Sequence, residues 1–219
     1  MSAHYQQHSI DMKNIAIFAS GSGTNAINII NFFNYNRKYD GSPSGESQTA
    51  CVKIVICNNR NAYVLTRAAN AGIESTVYGK EELTTSVSRL SEQLSELGID
   101  YIILAGYLLK VPDALIEKYR DRIINIHPAL LPKYGGKGMY GHHVHEAVIA
   151  ANEKESGITI HLVDERYDNG RILFQARCTI EPGDGPEELA SKIHTLEQMY
   201  FPNVIASFIK SCDSSRHPL

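Results

Sequence analysis

The chain is poor in the features that mark secreted, metal-stapled or membrane proteins. Only four of its 219 residues are cysteines (Cys51, Cys57, Cys178 and Cys212), and no two form a C-x-x-C pair. That spacing supports neither a zinc ribbon nor a thioredoxin-like motif. So few cysteines in so long a chain make no disulfide framework. Each thiol reads as a small buried hydrophobe or, for Cys212, a tail residue. There is no excess of either charge: 21 Lys and Arg stand against 24 Asp and Glu, a formal net charge of −3. This balance argues against bulk nucleic-acid binding, although a local basic patch remains compatible with it. No apolar run reaches the about 18 residues that a membrane span requires. The opening MSAHYQQHSIDMK lacks the apolar centre of a signal peptide. The expected compartment is the cytoplasm, with no membrane and no nucleic-acid partner.

What is present is an ordinary globular mixture, 43% hydrophobic and 21% charged, enough for one large domain. Short apolar runs alternate with longer helical stretches. IAIFAS (15–20), CVKIVIC (51–57), ESTVYG, DYIILAGY and RIINIHP read as strands. AINIINFF, AYVLTRAANAG, EELTTSVSRLSEQLSELG and HEAVIAANE read as helices between and after them. GITIHLVDE and RILFQARCTI follow as strands separated by the turn YDNG. PEELASKIHTLEQMYFPNVIASFIK closes as a helix with a kink or boundary at Pro202. Strands alternating with helices predict an α/β fold, a single Rossmann-like open sheet with helices on both faces. The turn-linked last strands predict an antiparallel edge on a mostly parallel sheet. Residues 1–13 are expected as a tail, 14–210 as the domain and 211–219 as a second tail. The polar stretch Tyr39–Gln48 is expected as a loop within the domain.

Four constellations carry chemistry. Ser20-Gly21-Ser22-Gly23-Thr24-Asn25 lies between a strand and a helix. There glycines and free helix N–H groups favour phosphate. It lacks the third glycine of a dinucleotide loop and the Lys of a P-loop. The alternative is a turn with Thr24 or Asn25 as helix cap. Asn125 and His127 lie two apart in a strand closed by Pro128, so both side chains share one face at the ligand-binding edge of the sheet. An amide there can donate to an oxyanion, and an imidazole can donate or shuttle a proton. Asp168 sits in a D-N-G turn. It gains a role only if the fold brings it to His127, whose imidazolium it would favour. His142, His143 and His145 invite a metal reading, with His142 and His145 spaced to share a helix face. They lack the count and pattern of a ligand set, and a glycine-rich loop entering a helix is the favoured reading.

Together these segments resemble the phosphoribosylglycinamide formyltransferases, folate-dependent enzymes of purine biosynthesis. The matching stretches are IAIFASGSGTN, ILAGY (103–107), INIHPALLPKY (124–134), GITIHLVDERYDNGRILFQ (157–175) and HTLEQMYFP (194–202). INIHPALLP is shared with other formyl-folate enzymes; GSGTN with the LEQMYFP-like stretch is more specific. The resemblance implies the formyltransferase fold and formyl transfer from 10-formyltetrahydrofolate to the amine of phosphoribosylglycinamide. It implies a tetrahedral adduct stabilised by Asn125 and protonated His127, with Asp168 raising the His127 pKa. Gly23, Thr24 and Asn25 would hold the ribonucleotide phosphate, with His194, Thr195, Leu196 and Glu197 beside the glycinamide. Leu108, Leu109, Lys110 and Val111 would line the folate pocket with Asn125, Asp164, Glu165, Arg166, Tyr167 and Asp168. Lys80 is the nearest candidate for a ligand-binding basic residue. The co-substrate is 10-formyltetrahydrofolate, and neither a metal nor a nicotinamide is called for. The protein would act on small molecules as a monomer or homodimer.

The chain departs from the family pattern after Lys133-Tyr134. There GGKGMYGHHVHEAV puts Gly where a Pro is common and adds several residues, so the loop alters how the site closes or what neighbours it. Tyr39–Gln48 is also longer than the family form. A methionyl-tRNA formyltransferase would carry a nucleic-acid-binding domain after the last helix, and a formyltetrahydrofolate hydrolase a regulatory domain before the first strand. A non-catalytic nucleotide-binding module on the same fold would lack the Asn/His/Asp group.

Overall fold

The computed structural model describes residues 12–38, 41, 49–85 and 87–216. Of the loop expected at Tyr39–Gln48 only Gly41 is described, and residues 1–11 of the expected N-terminal tail lie outside the described residues. Seven strands form one sheet in the order β3-β2-β1-β4-β5-β6-β7. They are β1 (Lys13–Ala19), β2 (Ala50–Cys57), β3 (Glu74–Val77), β4 (Tyr101–Leu104), β5 (Ile123–His127), β6 (Glu155–Leu162) and β7 (Ile172–Thr179). β1 to β5 run parallel, while β6 and β7 add antiparallel to that edge. The expected mixed sheet is therefore present.

The unbroken apolar character of β1 follows from its central place. Ile15, Ile17 and Ala19 face one core, Ala16 and Phe18 face the other, and all five are fully buried. A strand covered on both faces reads as a continuous apolar run. The first core is capped by α1 (Thr24–Tyr35), α2 (Tyr63–Asn70), α6 (His142–Ala150) and α7 (Pro186–Arg216). The second is capped by α3 (Lys80–Thr85), α4 (Val87–Glu96) and α5 (Asp113–Lys118). The strand C-termini of β1, β4 and β5 open on one edge, where the α/β ligand crevice forms.

The stretch EELTTSVSRLSEQLSELG is helical as expected, described as α3 and α4 with residue 86 between them outside the described residues. Two further points depart from expectation. The short helix α5 after Pro112 was not anticipated. α7 runs through Pro202 without a boundary and continues to Arg216, into the segment expected as a tail. Proline removes the donor for the carbonyl four residues earlier. Here that carbonyl, of Gln198, accepts from the Asn28 amide at 2.8 Å. Among the described residues no helix is long and apolar enough to cross a membrane, and the four cysteines are free thiols.

Candidate active site

β1 delivers the chain into the loop Ser20–Asn25, and Gly23 is the N-cap of α1. This corrects the expectation of a Thr24 or Asn25 cap. Gly23 has φ 77°, and a Cβ there would come within 2.4 Å of Val64 Cγ2, so neither the conformation nor the space suits another residue. No side chain caps the helix, which keeps its first turn available to an anion. Thr24 pairs with the Ser22 hydroxyl at 3.3 Å. Asn25 is turned toward α7, where its amide donates to Glu197 Oε2 (2.9 Å). Its own carbonyl oxygen is buried without a partner.

Ser20 fixes the neighbouring wall. Its hydroxyl donates to Asn58 Oδ1 (2.5 Å) and accepts the Leu108 N–H (2.9 Å). Its own N–H donates to the Gly106 carbonyl (3.0 Å). The end of β1 thus holds the strand-to-loop segment that presents residues 108–111 to the cleft.

The opposite wall is built on β5 and β6. Asn125 and His127 share a face as expected, and the antiparallel register sets His161 beside Asn125 and Thr159 beside His127. Asn125 donates to His161 Nε2 (3.1 Å), and His161 Nδ1 donates to the Leu162 carbonyl (2.8 Å). Asp168 lies between the imidazoles. Its Oδ2 is 3.6 Å from His127 Nδ1, and its Oδ1 is 3.6 Å from His161 Nε2. These are ion-pair rather than hydrogen-bond separations. Burial alone would push the Asp168 carboxyl up, but His161, His127 and the Gly136 N–H together hold it below its usual value.

His127 differs from expectation. Asp168 and the Tyr134 carbonyl both favour its imidazolium, yet burial outweighs them and leaves the pKa below its ordinary value. His127 is 3% exposed, and desolvation penalises the charged ring. Burial thus works against the charge that Asp168 favours, and the net direction is downward.

One short loop touches both members of this pair. His127 Nε2 donates to the Tyr134 carbonyl (2.7 Å), and the Gly136 N–H donates to Asp168 Oδ2 (2.9 Å). Tyr134 has φ 57°, a left-handed conformation that costs about 1–2 kcal/mol for a side-chain-bearing residue. A Cβ on Gly135 would come within 2.5 Å of Leu131 Cδ2 and 3.2 Å of Asp168 Cβ. Gly135 thus sits where a side chain would press on Asp168.

α6 and α7 close the cleft. Glu197 is buried, and burial pushes its carboxyl up against the opposing pull of Asn25 and His194. His145 is 6% exposed, and burial with three neighbouring histidines holds it down at about 4. His142 and His145 do not share an environment. His142 faces solvent near Glu146 (3.3 Å) while His145 turns inward to the cleft. Among the described residues no three His, Cys, Asp or Glu form a metal-holding group.

The loop after β1, the Asn125–His127–His161–Asp168 cluster, His145 and Glu197 line one cleft of about 740 Å³, within the range of small-molecule sites. Gly23, Thr24, Asn25 and Lys80 line it, as do residues 108–111, 164–168, Asn125 and His127. On α7 the cleft meets Ile193, His194 and Glu197. Thr195 is exposed and bonded to the Ser191 carbonyl (3.1 Å), while Leu196 packs on the core. The helical period turns both away from the cleft, against expectation. His161 was missed, and His145, considered only in the metal reading, lines the cleft. His161 is the one titratable side chain in GITIHLV, but only the β5–β6 register reveals its partner.

The comparisons with known proteins agree with this architecture. Residues 13–205 match the formyl transferase family. The chain is 37% identical over 204 residues to a chloroplastic phosphoribosylglycinamide formyltransferase of Arabidopsis thaliana, covering 91% of this chain and 66% of that one. Coverage of the Vigna unguiculata relative is 62%, so the chain spans about two thirds of the length of these plant relatives. It is 35% identical over 202 residues to the Haemophilus influenzae phosphoribosylglycinamide formyltransferase, covering 90% of this chain and 87% of that one. The crystal structure of the Bacillus halodurans phosphoribosylglycinamide formyltransferase superposes with a TM-score of 0.78 at 34% identity, over 92% of this chain and 98% of that one.

Proposed function

The chain belongs to the formyl transferase family, and from that membership we propose that it is a phosphoribosylglycinamide formyltransferase of de novo purine biosynthesis. The observation that carries this reading is one cleft lined by both the uncapped N-terminus of α1 and the Asn125–His127–His161–Asp168 cluster. A phosphate-favouring end and a proton-handling, oxyanion-facing end suit a phosphorylated amine that receives an acyl group.

10-Formyltetrahydrofolate supplies the electrophilic formyl carbon and leaves as tetrahydrofolate. The ribonucleotide phosphate sits at Gly23 and Thr24. Its glycinamide lies toward Asn25, His194 and Glu197, with Lys80 on the lining of the same cleft. The folate lies along residues 108–111 and 164–168. The amine forms the new C–N bond, the bond to the folate nitrogen breaks, and one proton passes from the amine to that nitrogen. Asn125 has two amide protons; one goes to His161, and the other is for the developing oxyanion. A preorganised donor of this kind contributes about 10²–10³ in rate, or about 2.7–4 kcal/mol. His127 takes up the migrating proton and passes it on. Asp168 at 3.6 Å stabilises the transient imidazolium. No step calls for a metal or nicotinamide. The compartment is the cytoplasm, in keeping with four free thiols, and the assembly is a monomer or homodimer.

The test is a spectroscopic assay of tetrahydrofolate release with phosphoribosylglycinamide, for the native chain and His127→Ala. Amine-dependent turnover lost in the variant supports the reading. Release without the amine indicates hydrolysis instead. Ribonucleotide binding with no folate turnover sinks the transferase.

A further inference from the structure

We propose that Glu153, acting through Tyr134 from outside the cleft, is a positioning residue for the His127–Asp168 pair. The inference rests on the catalytic reading above. The loop Tyr134–Gly136 holds both members of the pair by backbone groups, the Tyr134 carbonyl on His127 Nε2 and the Gly136 N–H on Asp168 Oδ2. Those groups point as they do because Tyr134 is left-handed, a conformation that persists only where surrounding contacts enforce it. The enforcing contact is on the far side of the loop. The Tyr134 hydroxyl donates to Glu153 Oε1 (2.9 Å), and Lys133 Nζ donates to the same oxygen (2.8 Å). Consecutive side chains thus converge on one carboxylate between α6 and β6, while the backbone between them and Gly136 reaches the two reacting groups. Lys133 and Tyr134 hold the Glu153 carboxyl below its usual value, so it remains a full acceptor at neutral pH. Glu153 does not line the cleft.

Tyr134→Phe keeps the packed ring and removes only the donor; Glu153→Ala removes the acceptor. Misplacing reacting groups by about 1 Å costs about 10²-fold, so each variant should lower kcat by about tenfold or more. KM for both substrates should stay within about threefold. Glu153→Gln, whose amide oxygen still accepts the phenol proton, should recover most of the lost kcat, which a simple loss of charge would not allow. In the free enzyme the His127 ring nitrogens, followed by ¹⁵N NMR, should report an Nε2–H tautomer in the native chain. Both disabling variants should shift toward a mixture. If Glu153→Ala does not fold, Tyr134→Phe carries the test alone. Native kcat with an unchanged ring signal in folded Tyr134→Phe overturns the proposal. His127→Ala in the same assay separates the two readings. Full turnover in that variant defeats the catalytic assignment, while the ring signal compared between the native chain and Tyr134→Phe still reports on the clamp.

Discussion

The two walls of the cleft are made of different material. The wall formed by the ends of β1 and β4 is largely backbone: an uncapped helix start, a left-handed glycine and a loop segment pinned by Ser20. The wall formed by β5, β6 and the helices α6 and α7 carries buried titratable side chains, His127, His145, His161 and Glu197. Burying such groups is unfavourable unless they are paired. On this wall the histidine pairings are incomplete: a 3.6 Å gap separates His127 and His161 from Asp168, and His145 Nδ1 has no hydrogen-bond partner. The first wall has little to titrate and is suited to holding; the second is suited to chemistry that moves protons.

The sharpest way to break that contrast is His127→Ala. Formyl transfer should fall by about 10²–10³, while phosphoribosyl ligand affinity by calorimetry stays within about twofold. A parallel loss of affinity would mean the walls are not separable.

Next in size is acid stability. His145 has a native pKa of about 4 against an unfolded value near 6.5. Above pH 6.5 it is neutral in both states and contributes nothing. As pH falls from 6.5 toward 4, the unfolded chain takes up a proton that the fold refuses, and stability drops by up to about 3 kcal/mol. His127, also lowered by burial, acts in the same direction. Denaturant melts of His145→Gln should show a flatter decline over that window; an identical slope would remove His145 as the cause.

On the backbone wall, Gly23→Ala meets both a positive φ and Val64. It should lower stability by about 1–2 kcal/mol and raise the ribonucleotide KM by about tenfold, a shift of about 1.4 kcal/mol in binding. The kcat should change by less than about threefold. The smallest expected effect is Thr195→Ala. Its side chain faces away from the cleft, and both kinetic constants should stay within about twofold; a larger change would return this position to the binding surface.

What the sequence made legible followed from local periodicity. The alternation of strands and helices gave the parallel sheet and its antiparallel edge, because burial on both faces writes itself into runs such as IAIFA. Asn125 and His127 were legible because a two-residue spacing in a strand needs no tertiary knowledge. His161 was not, since its role depends on a register between β5 and β6 that no local pattern specifies. The burial that lowers the His127 pKa was illegible for the same kind of reason. A neighbouring carboxylate can be guessed from a motif, whereas the depth of burial that overrides it cannot. Thr195 and Leu196 were included because they are adjacent to Glu197 in sequence, and helical geometry separates what adjacency joins.

Asn25 and Asn28 on α1 receive their partners from Glu197 and Gln198 on α7, across 172 and 170 residues. During synthesis at about 5–20 residues per second, the first loop leaves the ribosome roughly 9–35 seconds before the helix that completes it. Throughout that interval the nascent chain carries a phosphate-favouring loop whose Asn25 side chain has nothing to orient it. On the proposed function, the earliest-made ligand contacts are therefore among the last to mature, and a growing chain keeps an unfinished cleft until its final helix docks.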